Sequence, residues 1–158
     1  MTRFTIDGLD PAPFVPLYGL SDDALAERGA LRMTVDATPG FPCRISLEDA
    51  VPGETVLLVN YEHLPVATPY RSRHAIFVRE GALKAARFVD EVPPQLAIRL
   101  LSLRSFDRDG MMIEADVVEG RDLAAAIARF FADPRAAYLH AHNAKPGCFA
   151  ARIDRLPA

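Results

Sequence analysis

Leu100-Leu101-Ser102-Leu103-Arg104-Ser105-Phe106-Asp107, followed by the turn Arg108-Asp109-Gly110 and then Met111-Met112-Ile113-Glu114-Ala115-Asp116-Val117-Val118, is the stretch that decides the fold class. Two strand-like runs flank three turn-forming residues, with a glycine where a left-handed backbone is needed, so the segment predicts a β-hairpin. A three-residue loop pairs Asp107 with Met111. It then sets Arg104 opposite Glu114, Leu103 opposite Ala115 and Leu101 opposite Val117, sorting charges and hydrophobes onto opposite faces. A loop one residue longer sets Arg104 opposite Ile113 and packs less well.

Downstream of this hairpin, Leu123, Ile127, Phe130 and Phe131 fall on one helical stripe that Asp133-Pro134 ends. Strands then span Ala137 to His142 and Cys148 to Asp154 around the turn Asn143-Ala144-Lys145-Pro146-Gly147. Upstream, Ser21 is the expected N-cap of a helix from Asp22 to Arg28 that Gly29 ends, and Leu31 to Val35 alternates as a strand does. Ser46 to Asp49 has capping-box spacing for one helical turn. Thr55 to Val59 and Ala75 to Val78 are apolar on both parities, as buried strands are, with irregular chain around Thr68 to Arg71 between them. Residues 80–97 carry no clear period. Consecutive strands with few helices predict an α+β fold: a mostly antiparallel or mixed sheet, helices packed on one side, one domain over residues 1–158.

Bulk composition narrows the functional classes. Half of the residues are apolar, a quarter are charged, and the net charge is -3, so the chain closes a core and offers nucleic acid no long-range field. No stretch reaches the length of a membrane span, and the start of the chain lacks the apolar run of a signal peptide. The expected location is the cytoplasm. The two cysteines, Cys43 and Cys148, are then reduced thiols and no disulfide framework.

The terminal hairpin is the place where a chemical site is expected. Leu139 and Ala141 share one parity with Phe149, Ala151 and Ile153 and are expected to face the core, which leaves Tyr138, His140, His142, Cys148 and Arg152 on the other face. A register with His142 opposite Cys148 pairs His140 with Ala150 and Tyr138 with Arg152. An imidazole beside a thiol favours the nucleophilic thiolate, and Arg152 adds positive field. Tyr138 and Arg152 would orient an anionic substrate, and Asn143 would donate to an oxyanion. The same geometry also offers His140, His142 and Cys148 as zinc ligands, with Cys43, His63 or water as a fourth. A solvated polar face is the third reading, and all three stay open.

Two other places invite a functional reading. Cys43 lies in a C-x-x-S arrangement ahead of a possible helix start, which suits either a redox thiol or a packed structural one. Arg71 and Arg73 flank Tyr70 in a small basic cluster able to grip a carboxylate or phosphate. A non-catalytic module that binds a small anionic ligand or a protein partner there is the alternative to a thiol or metal enzyme or sensor.

Four stretches occur together: Gly40-Phe41-Pro42-Cys43-Arg44, Pro69-Tyr70-Arg71, Asp109-Gly110-Met111-Met112 running into Ala115-Asp116-Val117-Val118, and His140-Ala141-His142-Asn143-Ala144 with Gly147-Cys148 and Ala151-Arg152. In this combination the chain resembles the bacterial family called domain of unknown function 1203, over roughly Pro39 to Asp154. The resemblance implies a small stand-alone bacterial protein. It marks His142, Asn143, Gly147, Cys148 and Arg152 as matching the family pattern without giving them a role. The pattern carries Gly-Pro where this chain has His74-Ala75, so the resemblance gives His74 none either.

Overall fold

The computed structural model describes residues 2–158. Nine strands form two antiparallel sheets. The larger contains β1 (Phe4–Asp7), β5 (Arg87–Val89), β6 (Leu100–Phe106), β7 (Met112–Glu119), β8 (Tyr138–Asn143) and β9 (Phe149–Arg155), in the order β5-β1-β9-β8-β6-β7. The smaller contains β2 (Leu31–Thr34), β3 (Thr55–Leu64) and β4 (Ser72–Arg79) in that order. The helices are α1 (Asp22–Glu27), α2 (Pro94–Ala97) and α3 (Leu123–Phe130). The expected α+β class with a predominantly antiparallel arrangement is what the chain adopts. Among the described residues no helix is long and apolar enough to cross a membrane.

Local sequence explains most elements. Ser21 caps α1, its hydroxyl accepting from the Ala24 amide at 3.1 Å, and Gly29 follows with a φ of +70°. The stripe Leu123, Ile127, Phe130 and Phe131 is buried on the larger sheet against Leu101, Leu103, Leu139, Ala141 and Ile153. The opposite face of that sheet meets the smaller one through Phe149, which shares a second core with Leu57, Val59, Ile76 and Leu25 of α1. Ser46 to Asp49 is a turn, with Leu47 at a φ of +53°, and not the helical turn that its capping-box spacing suggested. There Leu47 is buried and its amide bonds the Cys43 carbonyl, a tighter solution than a short exposed helix.

Both hairpins depart from the expected register by a β-bulge. At the first, Asp107 does bond Met111 (N to O, 2.9 Å) and Phe106 pairs with Met112. The ladder then slips, so that Arg104 faces Ala115, Leu103 faces Asp116 and Leu101 faces Val118. The slip tucks Ile113 against the helix-covered core and frees Glu114 and Asp116 to hold Arg129 of α3 at 3.0 and 2.7 Å. At the terminal hairpin His142 pairs with Phe149, His140 with Arg152 and Tyr138 with Asp154. The expected pairings of His142 with Cys148, His140 with Ala150 and Tyr138 with Arg152 do not form. Ala150 and Ala151 are both small enough to lie against the helix-side core, and accommodating two consecutive residues there turns Phe149 to the histidine face.

Candidate functional site

The site is built by a strap, Pro42 to Ile45, that laces the two sheets together. On one side the Arg44 amide donates to the Phe77 carbonyl of β4 at 3.0 Å. On the other the Leu9 amide donates to the Arg44 carbonyl and the Ala86 amide to the Ile45 carbonyl. Gly8 makes room for the strap, since a Cβ there would strike the Ile45 carbonyl. Arg44 is thereby carried into the interior, where it is 1% exposed.

Every nitrogen of the Arg44 guanidinium is engaged. Nε donates to the Phe149 carbonyl at 2.8 Å, Nη1 to the Pro42 carbonyl at 2.6 Å and Nη2 to Cys148 Sγ at 3.0 Å. Among the described residues no carboxylate lies within ion-pair distance of it. A guanidinium taken from water without a counter-charge carries a penalty of several kcal/mol, so its surroundings are expected to supply negative charge. Burial pushes the Arg44 guanidinium down from its usual value, and of the influences that oppose this the neighbouring Cys148 is the largest.

Asn143 completes the arrangement. The Gly147 turn, with a φ of +79°, brings the Asn143 amide to the Cys148 carbonyl at 2.9 Å, and the Asn143 side chain then places Nδ2 3.6 Å from Cys148 Sγ. The sulfur thus accepts from two donors. The Asn143 Oδ1 atom is buried and has no hydrogen-bond partner. Arg44, Asn143 and Cys148 line a cleft of about 570 Å³ between β4 and the turn joining β8 to β9. Leu58, Phe77, Ile98, Leu100 and Pro146 give it apolar walls, and His74, Arg99 and Lys145 add cationic or basic groups. Arg99 is spoken for by Asp49 at 2.6 Å, and among the described residues no acidic side chain lines the cleft.

The expected partners of Cys148 stand elsewhere. His142 bonds the Gly147 carbonyl through Nδ1 at 3.0 Å, which fixes the proton on that nitrogen, and does not bond the sulfur. It belongs to a buried cluster with His63 and His140 around Phe149, with ring centroids 5.0 to 6.3 Å apart. The Nδ1 atoms of His63 and His140 have no partner. Desolvation, reinforced by neighbouring imidazoles and arginines, lowers these histidines to about 4 for His63, about 2 for His140 and about 3 for His142. His140 and His142 therefore share a face as expected, but Cys148 does not join them, because the bulge inserts Phe149. Among the described residues no three His, Cys, Asp or Glu side chains are disposed to hold a metal ion.

The remaining sequence candidates are also outside the cleft. Arg152 pairs with Asp154 at 2.9 Å and lies over the Tyr138 ring at 4.1 Å, away from the cleft that Cys148 lines. Tyr138 is buried beside Phe106, and burial raises its hydroxyl above the usual value. Arg71 and Arg73 are both held by Glu62 at 3.1 Å, while Tyr70 sits edge-on to Phe106. Cys43 is fully buried and accepts the Ser46 and Arg79 amides, the environment of a packed thiol. Arg44 is the residue that sequence reasoning missed. Its signal was an arginine inside the apolar run Phe41-Pro42-Cys43-Arg44-Ile45.

A family model described as "Protein of unknown function (DUF1203)" matches residues 40–155. That span contains both segments that meet at the Arg44 to Cys148 contact. No curated protein and no solved structure matches the chain.

Proposed function

The chain belongs to the DUF1203 family, and we propose that it is a thiol-dependent enzyme or sensor in which Cys148 acts as a thiolate nucleophile toward a small, largely apolar ligand held in the adjoining cleft. The observation that carries this reading is the contact of Arg44 Nη2 with Cys148 Sγ at 3.0 Å deep in the interior. Arginine is permanently charged, it has no carboxylate, and a thiolate is the counter-charge within its reach. A second donor, Asn143 Nδ2, lies 3.6 Å from the sulfur and would add to the stabilisation of that species. Asn143 keeps the role of a polar group beside the reacting atom, whereas His142 acts through the Gly147 carbonyl and shapes the turn. Arg44 takes the part expected of Arg152.

Basic groups at the cleft and the absence of lining carboxylates suit an anionic or strongly polarised ligand head, while the apolar walls suit its body. Two unpaired cysteines fit a reducing compartment and support a cytoplasmic location. The strap, hydrogen-bonded toward both sheets, supports reading the chain as one domain.

Brief treatment of the native protein with iodoacetamide, followed by peptide mass spectrometry, tests the assignment. The label is expected on Cys148 and not on Cys43, and occupation of the cleft by a ligand is expected to slow it. Labelling of Cys43 first, or of neither until the chain is unfolded, would remove the thiol site.

A further inference from the structure

We infer that the ligand class of the Cys148 cleft is an organic hydroperoxide, an ROOH whose R group is apolar. This inference rests on the thiolate reading above and adds a reaction to it. Neither an imidazole nor a carboxylate is hydrogen-bonded to Cys148 Sγ; its partners are Arg44 Nη2 and Asn143 Nδ2. The site therefore lacks a relay that would protonate a poor leaving group such as an amine. It favours a weak bond whose leaving group departs as an anion beside a fixed cation, and the O–O bond of a peroxide is of that kind.

The unpartnered Asn143 Oδ1 supplies the second observation. Asn143 is 7% exposed and lines the cleft, and one end of its amide touches the sulfur while the other has no donor. The terminal O–H of a hydroperoxide is a donor of the right kind; a small shift of the Asn143 side chain that uncovers the buried Oδ1 toward the cleft would let it hold the terminal oxygen next to Sγ. The thiolate then attacks that oxygen. An S–O bond forms as the O–O bond breaks, sulfur is oxidised to the sulfenic acid Cys–S–OH, and the peroxide is reduced. The transferred oxygen keeps its proton, and the alkoxide RO⁻ leaves beside Arg44 and takes a proton from water to become ROH. Two equivalents of a small-molecule thiol restore the enzyme: the first displaces water from the sulfenic acid to give a mixed disulfide, and the second releases the Cys148 thiol and a small-molecule disulfide. Cys43, buried and engaged with two backbone amides, takes no part.

Selectivity follows from the walls. Phe77, Leu58 and Pro146 enclose the R group, while Ile98, 62% exposed, and Leu100, 38% exposed, form an apolar mouth. Hydrogen peroxide gains nothing from these surfaces, whereas an aryl or alkyl hydroperoxide does.

The experiment measures the second-order rate of Cys148 oxidation by cumene hydroperoxide and by hydrogen peroxide in the reduced full-length protein. Sulfenic acid is read as the +16 Da species or its dimedone adduct, with the iodoacetamide rate taken on the same sample. Cumene hydroperoxide is expected to react at least tenfold faster than hydrogen peroxide. Ile98→Glu at the mouth is expected to reduce that ratio several-fold. Asn143→Ala is expected to slow cumene hydroperoxide more than iodoacetamide, a split that a purely structural loss would not produce. Rapid alkylation without preference for the organic peroxide, or a mixed disulfide formed with an added disulfide faster than sulfenic acid with the peroxide, overturns the hydroperoxide inference and leaves the thiolate standing. Slow reaction with every reagent overturns both.

Discussion

Acid should open this protein over a narrow range, because three buried histidines cannot take up protons without breaking the face that joins the two sheets. His63, His140 and His142 titrate in the folded chain at about 4, 2 and 3, against 6.5 for an exposed histidine. The unfolded chain thus binds protons that the folded chain refuses. The stability is full above about pH 7 and is lost as the pH falls below about 6.5. Near pH 5 each histidine costs roughly 2 kcal/mol, so the three together cost roughly 6 kcal/mol, with a slope of about 4 kcal/mol per pH unit. That is comparable to the whole stability of an ordinary domain, about 5–15 kcal/mol. Urea unfolding followed by circular dichroism at half-unit steps from pH 8 to pH 4.5 measures the slope. His140→Phe, placed among Phe106, Tyr138 and Phe149, should lower it by about a third while leaving stability at pH 8 unchanged or higher, since the partnerless Nδ1 atom disappears. A stability that stays level between pH 7 and pH 5, or a slope indifferent to His140→Phe, would refute the account of this cluster.

The remaining predictions concern the strap and the thiol. If position 148 supplies the counter-charge of Arg44, Cys148→Asp should unfold at a higher urea concentration than Cys148→Ala, by about 1–3 kcal/mol at neutral pH; equal midpoints, or a more stable alanine variant, would contradict it. Gly8→Ala drives a Cβ into the Ile45 carbonyl and should cost about 1–3 kcal/mol or more by overpacking. It should also change the reactivity of Cys148 by displacing Arg44, so a variant with wild-type stability and labelling would mean the strap does not position the site. Replacing Arg71 and Arg73 with Gln should leave Cys148 labelling unchanged, because Glu62 already holds both guanidinium groups.

Local rules made the outline of the fold legible. The Ser21 cap, the Leu123 to Phe131 stripe and the two hairpin turns each rest on contacts within a few residues, and each forms as its sequence suggests. The strands β1 and β5 and the short helix α2 carry no clear local signal, because they owe their structure to distant partners: Phe4 to Asp7 pairs with Arg152 to Arg155 at the far end of the chain. The same distinction explains the site. That Asn143 and Cys148 lie together at one end of the terminal hairpin was legible in the sequence. The partner was not, because alternation predicts faces only while the ladder is unbroken, and the bulge at Ala150 put Phe149 where the thiol was expected. Arg44 reaches Cys148 across 104 positions of sequence, and no periodicity reports such a contact.

The rate at which iodoacetamide alkylates Cys148 at neutral pH, compared between the wild-type protein and Arg44→Met, tests the central claim most directly. Methionine approximates the aliphatic stem of arginine and removes the charge, and circular dichroism establishes that the variant is folded. The account predicts that wild-type Cys148 reacts faster than a free cysteine derivative and that the variant reacts at least tenfold more slowly than wild type. Equal rates in the two folded proteins would mean that the buried guanidinium does not activate the sulfur, and the proposed thiol chemistry would be wrong.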